Sequence, residues 1–301
     1  MISILIPTYN YIAYPLAESL AQQAEESGTP CEIIVADDAS TNGESKQANR
    51  QISKLPYCTF IELEKNIGRA SIRNFLAEKA QGEWLLFMDC DGMPPHKDFL
   101  KKYHHALTSH PEVQLICGGI SHPDTLPSPT VSLRYNYEKA AEKHHTATKR
   151  NERPYASFRT FNFMIQRDTF NQVRFDESFR HYGYEDVLFG IQLQASGFQI
   201  LHIDNPLVNL DIEPNDIFLK KTEEALRTLS HQADKLGNSV HLHHIYLQLR
   251  RMGLLPFIRT LYRWTETALR KNLLSDSPRL PYFTFYKLGY YVSLQKKNKS
   301  F

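Results

Sequence analysis

The first ninety residues alternate between short apolar segments and segments with helical spacing, and this alternation constrains the fold more than any other feature. Segments 2–6, 32–36 and 84–88 are almost continuously apolar, which predicts strands buried on both faces, and a further strand is expected at 58–63. Helical segments lie between them at 12–25, 44–55 and 69–80. This order is typical of an α/β protein with a mostly parallel central sheet and helices on both faces.

The second half of the chain is less regular and carries an uneven charge. Strands are predicted at 161–166 and 198–203, and helices at 185–196 and 216–236. Residues 1–236 contain 24 Lys and Arg against 31 Asp and Glu, whereas residues 237–301 contain 11 against 2. We therefore expect an α/β domain over residues 1–215 and a basic, helical extension over residues 216–301.

Composition and targeting signals narrow the cellular setting. The chain is 42% hydrophobic and 23% charged with a net charge of +2, which is unlike a histone-like or acidic-tail protein, and we expect no nucleic-acid partner. The N-terminal segment lacks the basic start and cleavage site of a signal peptide. The four cysteines lack metal-ligand or redox spacing. These features predict a cytoplasmic protein.

Two carboxylates directly follow the strand predicted at 84–88. Asp89 and Asp91 are separated by one residue, so that on an extended backbone both point to the same side. Ligands of such sheets bind at the carboxyl ends of the strands. Paired carboxylate oxygens there suit Mg²⁺ or Mn²⁺, which would in turn hold a diphosphate. The alternative is a solvated turn, since the Asp-x-Asp-Gly pattern is also common in turns.

Other polar residues follow the neighbouring strands. Asp38 follows the strand at 32–36 and would either bind a base or ribose or cap the next helix. Segment 7–10 after the first strand has no glycine-rich phosphate loop, which argues against NAD and P-loop chemistry. Arg69 and Arg73 open a helix and would form an anion site, or a surface pair with an acid such as Glu78.

A further pair of acids opens the helix predicted at 185–196. Glu185 and Asp186 lie in its first turn, where negative charge interacts favourably with the helix dipole. The functional alternative is a general base, because a carboxylate can take the proton from a hydroxyl as that hydroxyl attacks.

Six segments together resemble glycosyltransferase family 2, whose members have the GT-A fold. They are SILIPTYN, EIIVADDAS, NIGRASIRN, GEWLLFMDCDG, FDESF and GYEDVLFG, which occur in the family's order over roughly residues 1–210. The resemblance implies a nucleotide-sugar-dependent transferase of the hexosyl or N-acetylhexosaminyl class. It also implies site residues, which are Pro7, Tyr9 and Asp38 at the nucleoside, Gly68 and Arg69 in a nucleotide-side loop, Asp89 and Asp91 at the donor and metal, Asn162 in a polar pocket, and Asp186 as the base with Glu185 beside it in the acceptor pocket.

The same resemblance defines the expected reaction. A sugar would move from a nucleotide-sugar, expected to be a UDP-sugar, to a hydroxyl of a glycan or lipid-linked acceptor, with inversion and with Mn²⁺ or Mg²⁺ as cofactor. Related chains often carry a histidine after the acidic helix; Asn209 takes that position here, and His202 lies earlier in the segment. The alternatives are a nucleotidyltransferase-like enzyme and a non-catalytic nucleotide-sugar-binding protein.

The basic C-terminal piece contains large apolar residues between its arginines. Leu254, Ile258, Leu261 and Thr265 are spaced to share one face of a helix. A basic amphipathic helix with aromatic residues can lie in a membrane interface, which predicts a peripheral protein on the cytoplasmic face of an anionic membrane. The alternatives are a helical subdomain packed through its apolar face and a contact between copies of the chain.

Overall fold

The strands of the computed structural model, which describes residues 1–179 and 181–297, form one large and one small sheet. They are β1 (Ile2–Thr8), β2 (Cys31–Asp37), β3 (Cys58–Glu62), β4 (Trp84–Met88), β5 (Gly92–Met93), β6 (Leu115–Cys117), β7 (Ile120–Ser121), β8 (Asn162–Gln166), β9 (Ile200–His202) and β10 (Leu207–Asn209). The large sheet has the order β3-β2-β1-β4-β8-β6-β9, and the small one the order β5-β10-β7.

The large sheet is mostly parallel, as the sequence predicts. Strands β1 to β4 run parallel, while β8 is antiparallel to both of its neighbours. Ile4 and Ile6 of β1 pack into one hydrophobic cluster, whereas Leu5 packs into another on the opposite face. Because both faces of the strand are buried, its sequence is apolar throughout instead of alternating.

Helices account for most of the remaining chain. They are α1 (Tyr14–Ser27), α2 (Gly43–Asn49), α3 (Arg69–Lys79), α4 (Phe99–Ser109), α5 (Ser132–Glu142), α6 (Ala147–Asn151), α7 (Arg167–Val173), α8 (Glu185–Ala195), α9 (Asn215–Leu236), α10 (His241–Arg251), α11 (Leu255–Leu273) and α12 (Leu280–Lys297). Apolar residues of α1 and α4 cover one face of the large sheet, and those of α3 and α7 cover the other. The predicted two-layered covering is therefore present.

Several predicted boundaries are wrong for local reasons. Helix α1 begins at Tyr14 instead of Ile12, with a proline in its first turn, where the missing N–H costs nothing. The single helix predicted over 44–55 is α2 followed by a 3₁₀ turn at Arg50–Lys54. Leu55 then turns extended, as is usual for the residue before a proline.

The chain packs as two compact units with interleaved segments. The first contains residues 1–121, 144–180 and 189–211, and the second contains 122–143, 181–188 and 212–301. The single domain boundary expected from the sequence, after residue 215, stays a prediction.

The second unit has its own apolar core, formed by α5 and the C-terminal helices. Its buried members are Leu133, Leu219, Tyr262, Leu269, Leu273, Phe283 and Tyr286. The Leu133 amide donates to Asn215 Oδ1 over 2.8 Å, which ties α5 to the start of α9. The buried Glu223 carboxylate accepts from Arg270 Nη1 at 2.5 Å and from the Tyr286 hydroxyl at 2.7 Å. In the described part of the chain no helix combines the length and apolarity that crossing a membrane requires.

Candidate active site

The predicted nucleotide-side residues of the first unit meet at one edge of the large sheet. Strands β2, β1 and β4 are adjacent and parallel, so that their carboxyl ends open on the same side. Pro7 lies near the end of β1, Asp38 follows β2 and Asp89 follows β4. The Asp38 amide donates to Thr8 O over 2.9 Å, which holds the first two strand ends together.

Asp38 fixes the loop that leads into α3. Its two carboxylate oxygens accept the backbone amides of Ile67 at 2.7 Å and Gly68 at 3.0 Å. Burial raises the pKa of Asp38, and these two amide hydrogen bonds oppose the rise. Gly68 has a φ of +87°, which residues with a side chain rarely adopt, and this explains why a glycine occupies the position. Each carboxylate oxygen retains a second lone pair that could accept a hydrogen bond from a ligand. Nucleoside binding by Asp38 therefore stays a prediction.

Asp89 is held by a buried arginine. Arg73 Nη2 lies 2.6 Å from Asp89 Oδ1, and only 2% of the Arg73 side chain is exposed. Arg73 Nη1 also donates to the Arg69 carbonyl over 3.2 Å, so its guanidinium links the first turn of α3 to the end of β4. The suggested pair between Arg73 and Glu78 is wrong, because Glu78 pairs with Arg174. Arg69 itself is an exposed residue at the start of α3.

Asp91 lies beside the segment that contains Asn209, the position at which related chains often carry a histidine. Its carbonyl accepts the Leu210 amide over 3.0 Å, and the neighbouring residue Gly92 pairs with Asn209 across the small sheet. Asn209 is fully buried; its Oδ1 accepts the Asp211 amide over 3.1 Å, while its Nδ2 has no partner among the described residues.

A tyrosine reveals a further carboxylate near Asp91. Burial raises the pKa of Tyr11 to about 12, and the negative charges of Asp91 and Asp211 add to the rise. Both carboxylates therefore act on the same hydroxyl. Asp211 was not singled out from the sequence; its position two residues after Asn209 on an extended segment was the available signal.

The predicted metal site is poor in protein ligands. No group of three or more His, Cys, Asp or Glu side chains in residues 1–179 and 181–297 is arranged to hold a metal ion. The bond from the Leu210 amide to the Asp91 carbonyl places Asp91 and Asp211 on adjacent segments, and the charges of both raise the pKa of Tyr11. This donor set fits Mg²⁺ or Mn²⁺, which bind in such sites through one or two carboxylates together with substrate phosphates and water.

His202 is not available to complete that site. Arg150 Nε donates to His202 Nδ1 over 3.2 Å, so the ring proton lies on Nε2, which donates to Pro154 O over 2.9 Å. Burial lowers the pKa of His202 to about 4, and the nearby positive charge of Arg150 acts in the same direction. His202 is therefore a neutral, buried residue whose two ring nitrogens are both engaged in hydrogen bonds within the protein.

We expect acid to destabilise the protein through His202. In the unfolded chain the imidazole binds a proton near pH 6.5, whereas in the fold it stays neutral down to about pH 4. The contribution of neutral His202 to the free energy of unfolding is therefore complete above pH 6.5 and is lost as the pH falls. At pH 4 this loss lowers the free energy of unfolding by about 3 kcal/mol. Melting temperatures between pH 7.5 and 4.5 should depend less on pH in His202→Gln than in the wild type. The exposed His105→Gln variant is the control, and equal slopes for wild type and His202→Gln would contradict the expectation.

Two other predicted donor-site residues differ in accessibility. Asn162 is buried: its Oδ1 accepts the Tyr103 hydroxyl at 2.6 Å, and its Nδ2 donates to the carbonyls of Asn205 and Gly119. Its side chain thus braces the end of β8, and its predicted pocket role stays a prediction. Tyr9 is half-exposed at the end of β1, which leaves its ring accessible for stacking.

The predicted acceptor-side acids open α8 in the second unit. Glu185 is buried and Asp186 is partly exposed. Asp186 Oδ1 accepts the Val187 amide over 2.8 Å. The preceding turn places Gly183 and Tyr184 at positive φ, 102° and 70°. Backbone strain of this kind in a non-glycine residue is common at functional sites.

The fold recurs in solved glycosyltransferase structures. A mannosyltransferase, PcManGT from Pyrobaculum calidifontis, in complex with GDP-Man and Mn²⁺ aligns with a TM-score of 0.57 at 16% identity over 99% of this chain and 86% of that one. Residues 1–349 of S. aureus TarS in complex with UDP-GlcNAc align with a TM-score of 0.52 at 17% identity over 99% and 91%. The protein thus has the GT-A fold, with a helical C-terminal extension.

The sequence defines the family. The model of glycosyl transferase family 2 matches residues 3–175, and the chain belongs to this family. The chondroitin synthase of Pasteurella multocida is 25% identical over 224 residues, which are 65% of this chain and 23% of that protein. The chain spans less than half the length of the curated relatives that it matches.

Proposed function

We propose that the chain transfers a sugar from a UDP-sugar to an acceptor hydroxyl, with inversion and with a divalent cation. The observation that carries the proposal is the position of Asp38 after β2 and of Asp89 and Asp91 after β4, the two parallel strands on either side of β1, with Asp89 oriented by the buried Arg73. Family membership supports the transferase class. The TarS complex with UDP-GlcNAc supports a uridine nucleotide, although the mannosyltransferase with the same fold is in complex with GDP-Man.

The donor would bind across the carboxyl ends of β1, β2 and β4. The half-exposed ring of Tyr9 offers a stacking surface for the base, and Asp38 offers acceptor lone pairs to a base N–H or a ribose hydroxyl. Asp89 is already paired with Arg73. We therefore infer that Asp89 orients the donor and is not the only carboxylate ligand of the metal. Gly68 and Arg69 at the start of α3 would face the diphosphate.

Asp91 would hold the cation, with Asp211 as the second available carboxylate. A bound Mn²⁺ or Mg²⁺ would neutralise the charge that develops on the departing diphosphate. Arg69 would contribute positive charge from the protein itself.

Asp186 would accept the proton of the attacking hydroxyl. Its carboxylate is partly exposed, as a base that must meet an acceptor requires. Attack on the face of the sugar opposite the leaving diphosphate inverts the anomeric centre in one step. Glu185 would shape the acceptor pocket next to it. We propose a glycan or a lipid-linked glycan as the acceptor, met on the cytoplasmic side of the cell.

A donor screen tests the function directly. Thermal unfolding of the full chain would be followed with UDP-Glc, UDP-Gal, UDP-GlcNAc, UDP-GalNAc and GDP-Man, each with Mn²⁺, Mg²⁺ or EDTA. We expect one UDP-sugar to raise the melting temperature, and to do so only with metal. At 100 times its Kd, that donor should increase the free energy of unfolding by about 2.7 kcal/mol. That donor should also be slowly hydrolysed to UDP.

Two other outcomes would favour the alternative functions. Formation of a nucleotide-sugar from a nucleoside triphosphate and a sugar phosphate would identify a nucleotidyltransferase. Tight donor binding with neither hydrolysis of the donor nor transfer of its sugar to any offered glycan would favour a binding protein.

A further inference from the structure

Helix α11 presents large aromatic side chains to solvent. Trp264 is 81% exposed and Phe257 is 65% exposed. They are seven residues apart, so they lie on the same side of the helix, and Lys271 continues the same line after another seven residues. Leu254 and Met252, just before the helix, are exposed as well.

The exposed aromatic residues are not part of the packing of α11. The helix already buries Tyr262, Leu269 and Leu273 in the core of the second unit. Ile258, Leu261 and Thr265, which were predicted to form the membrane-facing side, are half-buried. The accessible face is therefore a different stripe, centred on Phe257 and Trp264.

Exposed cations occur before, within and after this stripe along the chain. Arg250, Arg251, Arg263 and Lys271 are exposed and form no salt bridge with any residue in the described ranges. No acidic residue occurs between positions 235 and 265. Elsewhere in the same unit cations are paired, as Lys220 is with Asp216 and Arg270 with Glu223.

We propose that this aromatic–basic face, formed by Arg250, Arg251, Phe257, Arg263, Trp264 and Lys271, binds an anionic phospholipid surface. Aromatic rings insert at the boundary between headgroups and acyl chains, while the surrounding cations stay at the level of the lipid phosphates. An exposed apolar stripe accompanied by exposed cations matches a surface that is apolar inside and negative outside. The proposal concerns the second unit alone and does not depend on the transfer reaction.

Vesicle co-sedimentation of the full chain tests this binding. We expect the protein to sediment with vesicles of phosphatidylcholine containing 30% phosphatidylglycerol at 50 mM NaCl. It should remain in the supernatant with pure phosphatidylcholine vesicles, and 500 mM NaCl should release it. A protein that stays in the supernatant with anionic vesicles at low salt would overturn the proposal.

Paired variants separate the contribution of the rings from that of the charges. Arg263→Gln with Lys271→Gln should lower the partition coefficient roughly 25-fold, at about fivefold per cation. Phe257→Ser with Trp264→Ser should lower it about tenfold or more. Lys97→Gln with Lys101→Gln removes the same charge from the first unit, and Tyr57→Ser removes an exposed ring there. Equal losses in these control variants would show general charge or apolar attraction and would contradict the assignment to α11.

Fluorescence reports the position of the ring itself. The chain has two tryptophans, and Trp84→Phe leaves Trp264 as the only one, which can be excited selectively over the tyrosines. Anionic vesicles should shift its emission to the blue, and brominated lipids should quench it. Sedimentation velocity without lipid covers the remaining possibility: a dimer that Trp264→Ser dissociates would assign the face to a second copy of the chain and overturn the membrane proposal.

Discussion

Replacing Asp186 with asparagine should lower turnover by roughly 10²- to 10⁴-fold, the usual contribution of a general base. The amide keeps the shape of the carboxylate and can still accept the Val187 amide, but it cannot take the proton of the acceptor hydroxyl. Donor affinity should change little. Steady-state kinetics with the donor found in the screen, together with the melting temperature with and without that donor, measure both quantities.

Asp168→Asn is a matched control for the Asp186 variant. Asp168 also lies in the first turn of a helix, α7, so its replacement removes a comparable interaction with a helix dipole. Its turnover should equal that of the wild type. Retention of the anomeric configuration, or fast turnover by Asp186→Asn, would rule out the assigned base.

Asp91→Ala should abolish metal-dependent transfer and weaken nucleotide-sugar binding. A bound cation contributes several kcal/mol to neutralising the leaving diphosphate, so its loss corresponds to roughly 10³-fold or more in rate. The stabilisation by Mn²⁺ together with UDP should disappear from the melting curve, while the variant alone should melt close to the wild type. Asp211→Asn should weaken the Mn²⁺ effect less.

Asp98→Ala controls for the loss of one acidic side chain. Asp98 is exposed at the start of α4, where its only ion pair among the described residues is with Lys102 at 3.7 Å. This variant should respond to Mn²⁺ as the wild type does. Full transfer activity in EDTA would contradict the metal assignment altogether.

The parallel part of the sheet could be predicted because burial on both faces makes each of its strands a continuous apolar segment in the sequence. Residues such as Ile4 and Leu5 face opposite layers of helices, so both positions must be apolar. Strand β8 could not be placed in the same way. Its insertion between β4 and β6, antiparallel to both, depends on pairing partners far away in the chain. The short strands β5 and β7 were missed for a different reason, because two residues show no periodicity.

The site was predictable to the extent that it follows from strand ends. Asp38 and Asp89 come directly after β2 and β4, which flank β1 and run parallel to it, and the sequence indicates both apolar strands and the acids that follow them. The partner of Arg73 was not predicted: the sequence suggested an acid such as Glu78, five residues further along the chain, whereas the orientation of α3 brings Arg73 to Asp89. Asp211 was missed because β10, the strand before it, has three residues.

The interleaving of the two units imposes an order on biosynthesis. Helix α5 leaves the ribosome with Leu133 and Tyr135 exposed, and the hydrogen-bond partner of the Leu133 amide, Asn215, is 82 residues further along the chain. At the usual rate of translation this gap lasts roughly 4 to 16 seconds. During that interval Leu133 on the nascent chain has no packing partners, because the residues that bury it lie in α9, α11 and α12.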